Sequence, residues 1–270
     1  MPSPTVTASA RIEVQVTATA ELLFSVAAAR GPVVTDEHLT ITLDGRPLAV
    51  EEVVADHGGR LHLLRDVPPG ALALDYRVTA GAPAPQPITP EPTAADAIAY
   101  RRPSRYCESD LMLVTANRLF GGLTGQALVD GVVGWVADQT RYVPGSSGPS
   151  DGAVDTFLAG QGVCRDYAHL VTALLRAAGV PARLVSVYAP GLSPMDFHAV
   201  VEAAVDGRWQ VVDATGLAPR ASLVRIATGR DAADTAFLTV HAGATEFSSL
   251  RVSCVAHPGL PLDAPGPVHL

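Results

Sequence analysis

The stretch that decides the fold is GQGVCRDYAHLVTALLRAAGVP, residues 160–181. Cys164 follows two closely spaced glycines and begins an apolar pattern with helical spacing, which predicts an amphipathic helix. Gly179 is placed as the C-terminal cap of this helix, and Pro181 prevents its continuation. A thiol at a helix N-terminus lies beside free N–H groups and the positive end of the helix dipole, which favour the thiolate. The stretch alone leaves two interpretations open, a nucleophile or a buried structural cysteine.

The composition excludes several classes of function. The 270 residues carry 19 basic and 27 acidic side chains, a formal charge of −8, and every basic residue is arginine. No basic stripe is present, so we expect no nucleic-acid partner. No apolar run approaches the ~20 residues that span a membrane, and the first residues do not resemble a secretory signal. We therefore expect no membrane association and a cytoplasmic location with reduced thiols.

The three cysteines, Cys107, Cys164 and Cys254, are widely separated and include no C-x-x-C pair, which argues against a zinc ribbon or a redox dithiol. In a reducing compartment a Cys107–Cys254 disulfide is not expected. A metal site built from a cysteine, His198 and Asp213 would use residue types that zinc binds. No close-spaced ligand pair supports such a site, and we predict no metal and no other cofactor.

Three regions differ in their sequence pattern. Residues 1–80 contain short alternating strands and an Asp44-Gly45 turn, which predict an N-terminal antiparallel β-sandwich. Residues 81–105 begin with the proline-rich run GAPAPQPITPEP and are predicted to be a linker. Residues 106–270 contain helical segments followed by strands, so we predict a second domain with a helical half packed on an antiparallel sheet. The fold class is therefore α+β.

The run HAVVEAAVDGRWQVVDAT predicts a hairpin, because Asp206-Gly207 separates two apolar strands. Symmetric pairing about this turn places His198 and Asp213 on the same face, as diagonal neighbours within reach of each other. An imidazole beside a carboxylate supplies the base and the orienting group that a thiolate nucleophile needs. Glu202 shares this face and is a rival partner for His198.

Other polar residues near these motifs are expected to be structural. His169 lies five residues after Cys164, about 140° around the helix, and so points away from it. We expect it to be a surface histidine or a hydrogen-bonded helix residue. Arg225, Arg230 and Asp231 are expected to be ion-paired loop anchors, and a role at the border of the substrate site is the alternative.

Taken together, three stretches resemble the transglutaminase-like family, a branch of the papain-like cysteine enzymes. They are GQGVCRDYAHLVTALLRAAGVPARLVSVY, DFHAVVEA and GRWQVVDAT, and their order of Cys, His and Asp matches the family. The resemblance is strong over about residues 140–235 and weaker over residues 106–139. The N-terminal strands resemble the β-domain that precedes this core in bacterial members. Many relatives carry an aromatic residue two positions after the histidine, where this chain has Val200.

The resemblance implies a catalytic triad of a Cys164 thiolate, a general acid/base His198 and an orienting Asp213. Cys164 would attack an amide carbonyl in a peptide or protein substrate and form a thioester acyl-enzyme. Water would then complete hydrolysis, whereas an amine would complete transamidation as in an acyltransferase. We expect a peptidase or amidase, because nothing in the sequence marks an amine-binding site. The alternative is a non-catalytic binding or scaffold protein with the same fold.

The oxyanion of such a reaction needs fixed hydrogen-bond donors. The backbone N–H of Cys164 is the natural first donor. A papain-type glutamine would fall at Leu158 and is absent, so the second donor stays open between Gln161 and Tyr142. Arg165 adds a cation beside the nucleophile as a further substrate-binding candidate. The sequence carries no prediction about the oligomeric state.

Overall fold

The computed structural model describes residues 5–83, 91–263 and 266–270. Its strands are β1 (Thr5–Phe24), β2 (Pro32–Leu43), β3 (Arg46–Pro47), β4 (Glu51–Val54), β5 (Arg60–Val67), β6 (Gly70–Pro83), β7 (Arg141–Tyr142), β8 (Gln161–Gly162), β9 (Ala182–Tyr188), β10 (Phe197–Val205), β11 (Arg208–Val212), β12 (Val224–Gly229) and β13 (Leu238–His257). Its helices are α1 (Ala94–Ala99), α2 (Leu113–Phe120), α3 (Gly125–Gln139), α4 (Ala153–Ala159), α5 (Cys164–Ala177) and α6 (Ala232–Thr235). The mixture of helices with antiparallel sheets confirms the α+β class.

The N-terminal strands are antiparallel, as predicted, and hydrogen bonds join them into one continuous seven-stranded sheet. The strand order is β3-β2-β6-β1-β5-β4, and β13 pairs with the other edge of β1. The length of β1 explains this arrangement. Its first part, from Val6 to Val16, pairs with β6, and its last part, from Ala20 to Phe24, pairs with β5. One long strand therefore joins the strands on the β6 side to those on the β5 side.

The last long strand also belongs to this sheet. β13 pairs with β1 along its full length, from Thr5 opposite His257 to Phe24 opposite Leu238. Cys254 of β13 is buried in the core of the N-terminal sheet. The predicted second domain, residues 106–270, includes β13, whereas β13 pairs with the first sheet. The pairing joins residues more than 200 positions apart, and local sequence patterns carry no signal for such a partner.

Part of the predicted linker has regular structure. α1 begins after Thr93, whose hydroxyl accepts a hydrogen bond from the Asp96 backbone N–H, while the Asp96 carboxylate accepts one from the Thr93 N–H. This reciprocal capping arrangement satisfies two N–H groups at the helix start. Tyr100, which follows α1, is buried. Residues 84–90 of the predicted linker lie outside the described residues.

The second sheet has four antiparallel strands in the order β11-β10-β9-β12. α5 packs against β9 and β10, and α2, α3 and α4 pack against α5. The predicted end of α5 is confirmed, because Gly179 adopts the positive φ of 86° that favours glycine. In the described part of the chain, no single helix is long and apolar enough to cross a membrane. α2 and α3 pass that test of length and composition only as a pair, which is bent by 107°.

The two sheets share a hydrophobic core. Tyr188 of β9 is fully buried, and its ring stacks on Tyr76 of β6 with 6.3 Å between ring centroids. Its hydroxyl donates a hydrogen bond to the Val26 carbonyl at 2.8 Å. The Ala29 N–H donates to the Arg225 carbonyl of β12, also at 2.8 Å. The second sheet, whose strand β10 carries His198, therefore packs against the N-terminal sheet.

Candidate active site

Cys164 is the first residue of α5, and the turn before it has a specific shape. The Asp166 carboxylate accepts a hydrogen bond from the Val163 N–H at 2.8 Å and so caps the helix. A Cβ atom at Gly162 would lie 2.6 Å from the Cβ of Asp166, so this position requires glycine. Gly160 ends α4 with a φ of 59°. The two glycines therefore allow the chain to turn sharply from α4 into the helix that presents the thiol.

The three cysteines are free thiols, and they differ in accessibility. Cys107 and Cys254 are buried, whereas Cys164 is partly exposed. Burial raises the pKa of Cys107 and that of Cys254 to about 12. Cys164 is thus the thiol that a solute can reach.

The β10–β11 hairpin has the register that its sequence predicts, with Glu202 opposite Val211. This register brings the His198 and Asp213 side chains together. His198 Nε2 lies 2.7 Å from Asp213 Oδ2, and both side chains are almost completely buried. The hydrogen bond across the end of the hairpin fixes the orientation of the imidazole.

The electrostatics of this pair favour a charged imidazolium. Burial opposes the charge, but the hydrogen bond that His198 donates to Asp213, together with the nearby Cys164, outweighs it and raises the pKa of His198. Burial likewise opposes ionisation of Asp213, but hydrogen bonds from His198 and Thr215 lower its pKa. Thr215 donates to Asp213 Oδ1 from its N–H at 2.8 Å and its hydroxyl at 2.7 Å. His198 Nδ1 has no hydrogen-bond partner in the described part of the chain, so it is available to exchange a proton with the thiol.

Glu202, the rival partner for His198, has other partners. Its side chain is fully buried, and its oxygens accept hydrogen bonds from Arg183 at 2.8 Å and from Arg225 at 3.0 Å. Two guanidinium groups therefore neutralise this carboxylate away from the imidazole. The expectation that Arg225 is an ion-paired anchor is in agreement with this contact.

Tyr142 lies directly beside Cys164. β7 pairs in parallel with β8, with Tyr142 opposite Gly162, and the Val143 N–H donates to the Gly162 carbonyl at 3.0 Å. The Tyr142 hydroxyl interacts with both the thiol and the backbone N–H of Cys164. Burial and the charge of Cys164 raise the pKa of Tyr142 to about 12. The residue is 39% exposed, so it is not part of the hydrophobic core.

The other two substrate-binding candidates have different surroundings. Gln161 accepts a hydrogen bond from Arg141 at 3.5 Å and lines a neighbouring cavity of about 440 Å³ whose lining does not include the thiol. The Arg165 guanidinium donates to the Ser147 hydroxyl and the Gly148 carbonyl, each at 2.6 Å. It therefore holds the loop before α4. Of the three candidates, the structure brings Tyr142 to the thiol.

His169 is a structural residue, but it is not on the surface. It is fully buried, its Nε2 accepts a hydrogen bond from the Ala232 N–H at 3.2 Å, and its ring stacks on Tyr106. Burial lowers the pKa of His169 to about 3. The expectation of a hydrogen-bonded helix residue is correct and that of a surface residue is wrong. Asp231 caps α6 through the Ala233 N–H at 2.9 Å.

The sequence analysis missed two supporting residues. Asp166 caps the N-terminus of α5, and the Thr215 hydroxyl donates a hydrogen bond to Asp213 Oδ1. The spacing of Asp166, three residues after the residue that precedes the helix, is a capping-box signal that was available. Thr215 follows Asp213 by two residues, the spacing at which an aspartate accepts hydrogen bonds in an Asx turn.

The described residues of this site do not form a metal-binding cluster. Among the residues that the structure describes, no set of three or more His, Cys, Asp and Glu side chains is arranged to hold a metal ion. Asp213 directs one oxygen to His198 and the other to Thr215. The geometry thus fits proton transfer between a thiol and an oriented imidazole.

Comparison with known proteins identifies the family. Residues 116–214 match a sequence model of the transglutaminase-like superfamily. A crystal structure of a candidate cysteine protease from Cytophaga hutchinsonii is 31% identical, with a TM-score of 0.83 over 95% of this chain and 92% of that chain. The chain belongs to the transglutaminase-like superfamily. Cys164, His198 and Asp213 all lie within the matched residues of this superfamily member.

Two further relatives are more distant. An uncharacterised protein from Mycobacterium leprae is 29% identical over 113 residues, and the match spans 39% of its length. The crystal structure of the periplasmic domain of TgpA from Pseudomonas aeruginosa is 21% identical, with a TM-score of 0.40 over 74% of this chain.

Proposed function

We propose that this chain is a cysteine enzyme that hydrolyses amide bonds in peptides or proteins through a thioester acyl-enzyme. The observation that supports it is the position of a partly exposed Cys164, at the start of α5, beside the buried His198–Asp213 pair. A nucleophile, a base and a carboxylate that orients the base are what such a reaction requires. We also propose a cytoplasmic location, with which three free thiols are compatible.

In the first half of the proposed reaction, the Cys164 thiolate attacks the amide carbonyl carbon. The negative charge that forms on the carbonyl oxygen receives hydrogen bonds from the Cys164 N–H and the Tyr142 hydroxyl. The imidazolium of His198 donates its proton to the amine as the C–N bond breaks. The amine leaves and the acyl group stays on sulfur as a thioester.

In the second half, neutral His198 accepts a proton from a water molecule as the water oxygen attacks the thioester carbonyl carbon. The same donors hold the second oxyanion. When the C–S bond breaks, the carboxylic acid leaves and the thiolate–imidazolium pair is restored. Asp213 stays ionised throughout and keeps the imidazole in position.

The test is an assay of the full chain on a panel of peptide amides, read by mass spectrometry. We expect cleavage by the native protein and none by the Cys164→Ala variant. Cys254→Ala is the matched control. It removes the buried thiol in the core of the N-terminal sheet and should retain cleavage. A Cys164→Ala protein that cleaves as fast as the native one shows that the nucleophile is misassigned.

A second arm separates hydrolysis from acyl transfer. With a small primary amine added, we expect most acyl groups to appear as free acid, because water has direct access to a partly exposed site. A predominance of amide product would replace hydrolysis with transamidation. Absence of cleavage, together with alkylation of Cys164 no faster than a free thiol, would favour the non-catalytic scaffold alternative.

A further inference from the structure

The carboxylate that orients His198 is itself held by the loop that follows β11. The Asp213 side chain is only 3% exposed, and its Oδ2 faces His198 Nε2 at 2.7 Å. Its other oxygen, Oδ1, accepts two hydrogen bonds from Thr215, from the backbone N–H at 2.8 Å and from the hydroxyl at 2.7 Å. An ionised carboxylate can only accept hydrogen bonds, so the Thr215 hydroxyl is the donor.

A second contact fixes the direction in which the Thr215 hydroxyl donates. The Leu217 N–H donates a hydrogen bond to Thr215 Oγ1 at 3.3 Å. A hydroxyl has one proton and two lone pairs, so this contact occupies a lone pair and leaves the proton for Asp213. The same two-residue spacing thus occurs twice in succession, since Asp213 accepts from Thr215 and Thr215 accepts from Leu217. Together the two turns direct the hydroxyl proton at the carboxylate.

The residues on either side of Thr215 are anchored in the interior of the protein. Ala214 packs against the hydrophobic core that contains α5. Leu217 packs against a separate core that includes Val200 of β10 and Val211 of β11. Because such cores are close-packed, the backbone between the two anchors has little freedom to move. The Thr215 hydroxyl is therefore held at a fixed place beside Asp213.

The contacts at Oδ1 decide how the other oxygen of Asp213 is aimed. The last torsion of an aspartate side chain, about the Cβ–Cγ bond, is only weakly restricted by its own geometry. A carboxylate held at one oxygen alone can therefore turn away from the imidazole. Burial opposes ionisation of Asp213, and the hydrogen bonds from His198 and Thr215 offset it and lower the pKa of this carboxyl group. Thr215 thus acts on both the orientation and the charge of Asp213.

We propose that Thr215 is a positioning residue of this site, whose hydroxyl fixes the Asp213 carboxylate and, through it, the His198 imidazolium beside Cys164. Without the hydroxyl, the imidazolium loses part of the stabilisation that the carboxylate gives it. The Cys164 thiolate then loses part of its counter-charge and forms at higher pH. As a statement about catalysis, this inference rests on the proposed function, but the thiolate can be measured without any substrate.

The first experiment follows alkylation of Cys164 by iodoacetamide in the full chain as a function of pH, with intact mass as the readout. Cys107 and Cys254 are buried, so the label reports on Cys164. Thr215→Val removes the hydroxyl while it keeps the side-chain size and the backbone N–H. We expect this variant to raise the pH midpoint of thiolate formation by about one unit, which corresponds to a roughly tenfold weaker ion pair.

Two further variants separate the hydroxyl from general structural effects. Thr215→Ser keeps the hydroxyl and should keep the native midpoint. Thr156→Val is the matched control, because Thr156 is a buried threonine whose hydroxyl donates to the Gly152 carbonyl at 3.0 Å, and its midpoint should also be native. A native midpoint in Thr215→Val overturns the proposal, and so does an equal shift in Thr215→Ser. If Thr215→Val does not fold, Thr215→Ala takes its place in the same comparison.

The second experiment measures steady-state kinetics of the same variants on a cleaved peptide. We expect Thr215→Val to lower kcat about tenfold, the lower end of the range for one hydrogen bond to a charged group. KM should change little, because the hydroxyl faces Asp213 rather than the substrate, and Thr215→Ser should restore most of kcat. A raised KM with native kcat in Thr215→Val would place Thr215 in substrate binding and overturn the positioning role.

The two experiments distinguish failure of this inference from failure of the proposed function. If the native chain cleaves no peptide but Thr215→Val shifts the alkylation midpoint, the positioning role stands and amide hydrolysis is refuted. If the native chain cleaves peptides and Thr215→Val keeps the native midpoint and kcat, the positioning role is refuted and the proposed function stands.

Discussion

At the residue scale, the Tyr142 hydroxyl is the second oxyanion donor of the proposed reaction. It contacts the Cys164 N–H, and the parallel β7–β8 pair fixes its distance from the nucleophile helix. A phenol can donate only while it is protonated, and burial together with the charge of Cys164 raises its pKa to about 12. The hydroxyl is therefore protonated throughout the neutral range.

Tyr142→Phe tests this role. Loss of one oxyanion donor typically costs 10²–10³ in turnover, and we expect roughly 10²-fold in kcat for this partly exposed tyrosine, with little change in KM. Steady-state kinetics on a cleaved peptide measure both constants. Alkylation of Cys164 involves no oxyanion and should persist. Tyr106→Phe, which removes a hydroxyl bonded to the Pro149 carbonyl, is the control and should retain kcat. An unchanged kcat in Tyr142→Phe removes tyrosine from the oxyanion site.

At the scale of single elements, the β10–β11 hairpin sets the protonation state of His198. The Asp213 carboxylate raises the pKa of the imidazole, so the acid form persists to higher pH than in a free histidine. In the proposed reaction the imidazolium protonates the leaving amine. The rate of amide cleavage should therefore fall as pH rises through the raised pKa of His198.

Asp213→Asn should move this alkaline limit to lower pH and reduce kcat/KM by roughly 10⁴, the loss in kcat that follows when a Ser-His-Asp triad loses its carboxylate. The measurement is the pH profile of kcat/KM for both proteins. Asp206→Asn, in the turn of the same hairpin, should leave the profile unchanged. If Asp213→Asn keeps the native alkaline limit, the carboxylate does not control the imidazole.

The contact between α5 and α6 predicts a different pH effect, on stability. The folded chain holds His169 neutral, with a pKa of about 3 against 6.5 for an unperturbed histidine. Between these values the unfolded chain binds a proton that the folded chain excludes. The free energy of unfolding should thus fall by about 1.4 kcal/mol for each pH unit below 6.5.

His169→Gln should flatten this dependence, because its amide oxygen can accept the Ala232 N–H without titrating. Urea unfolding at several pH values between 7 and 4 gives the slopes. His38→Gln, at an exposed position of β2, should keep the native slope. If His169→Gln keeps the native slope, protonation of carboxylates rather than of His169 causes the loss of stability at low pH.

The sequence predicted those elements whose signals are local. The Asp206-Gly207 turn predicted the register of the hairpin, and hence the His198–Asp213 contact. Helical spacing and Gly179 placed the two ends of α5. Local patterns carried no information on which long-range partner a charged group takes. Glu202 shared the face of His198 in the sequence, but Arg183 and Arg225 from neighbouring strands decided its role.

At the scale of the whole molecule, the buried carboxylate of Glu202 belongs to a network that connects the two sheets. Glu202 on β10 accepts hydrogen bonds from Arg183 on β9 and Arg225 on β12, and its side chain is fully buried. Arg183 lies 3.9 Å from the centroid of the Trp209 ring. The Arg183 guanidinium also lies 3.0 Å from Nδ1 of His57, which is in the turn between β4 and β5. The network therefore runs from the histidine strand to the N-terminal sheet.

Glu202→Gln should destabilise the whole chain, because two buried guanidinium groups would face each other without a counter-charge. Removal of one partner from a buried ion pair costs about 3–5 kcal/mol, and we expect a loss of this size in the free energy of unfolding. Urea unfolding followed by tryptophan fluorescence measures it, since Trp209 lies against Arg183. Glu246→Gln, at an exposed position of β13, is the control and should change stability by less than about 0.5 kcal/mol. A loss below about 1 kcal/mol for Glu202→Gln would mean that water or rearranged side chains compensate the two arginines, and that the buried carboxylate contributes little to holding the sheets together.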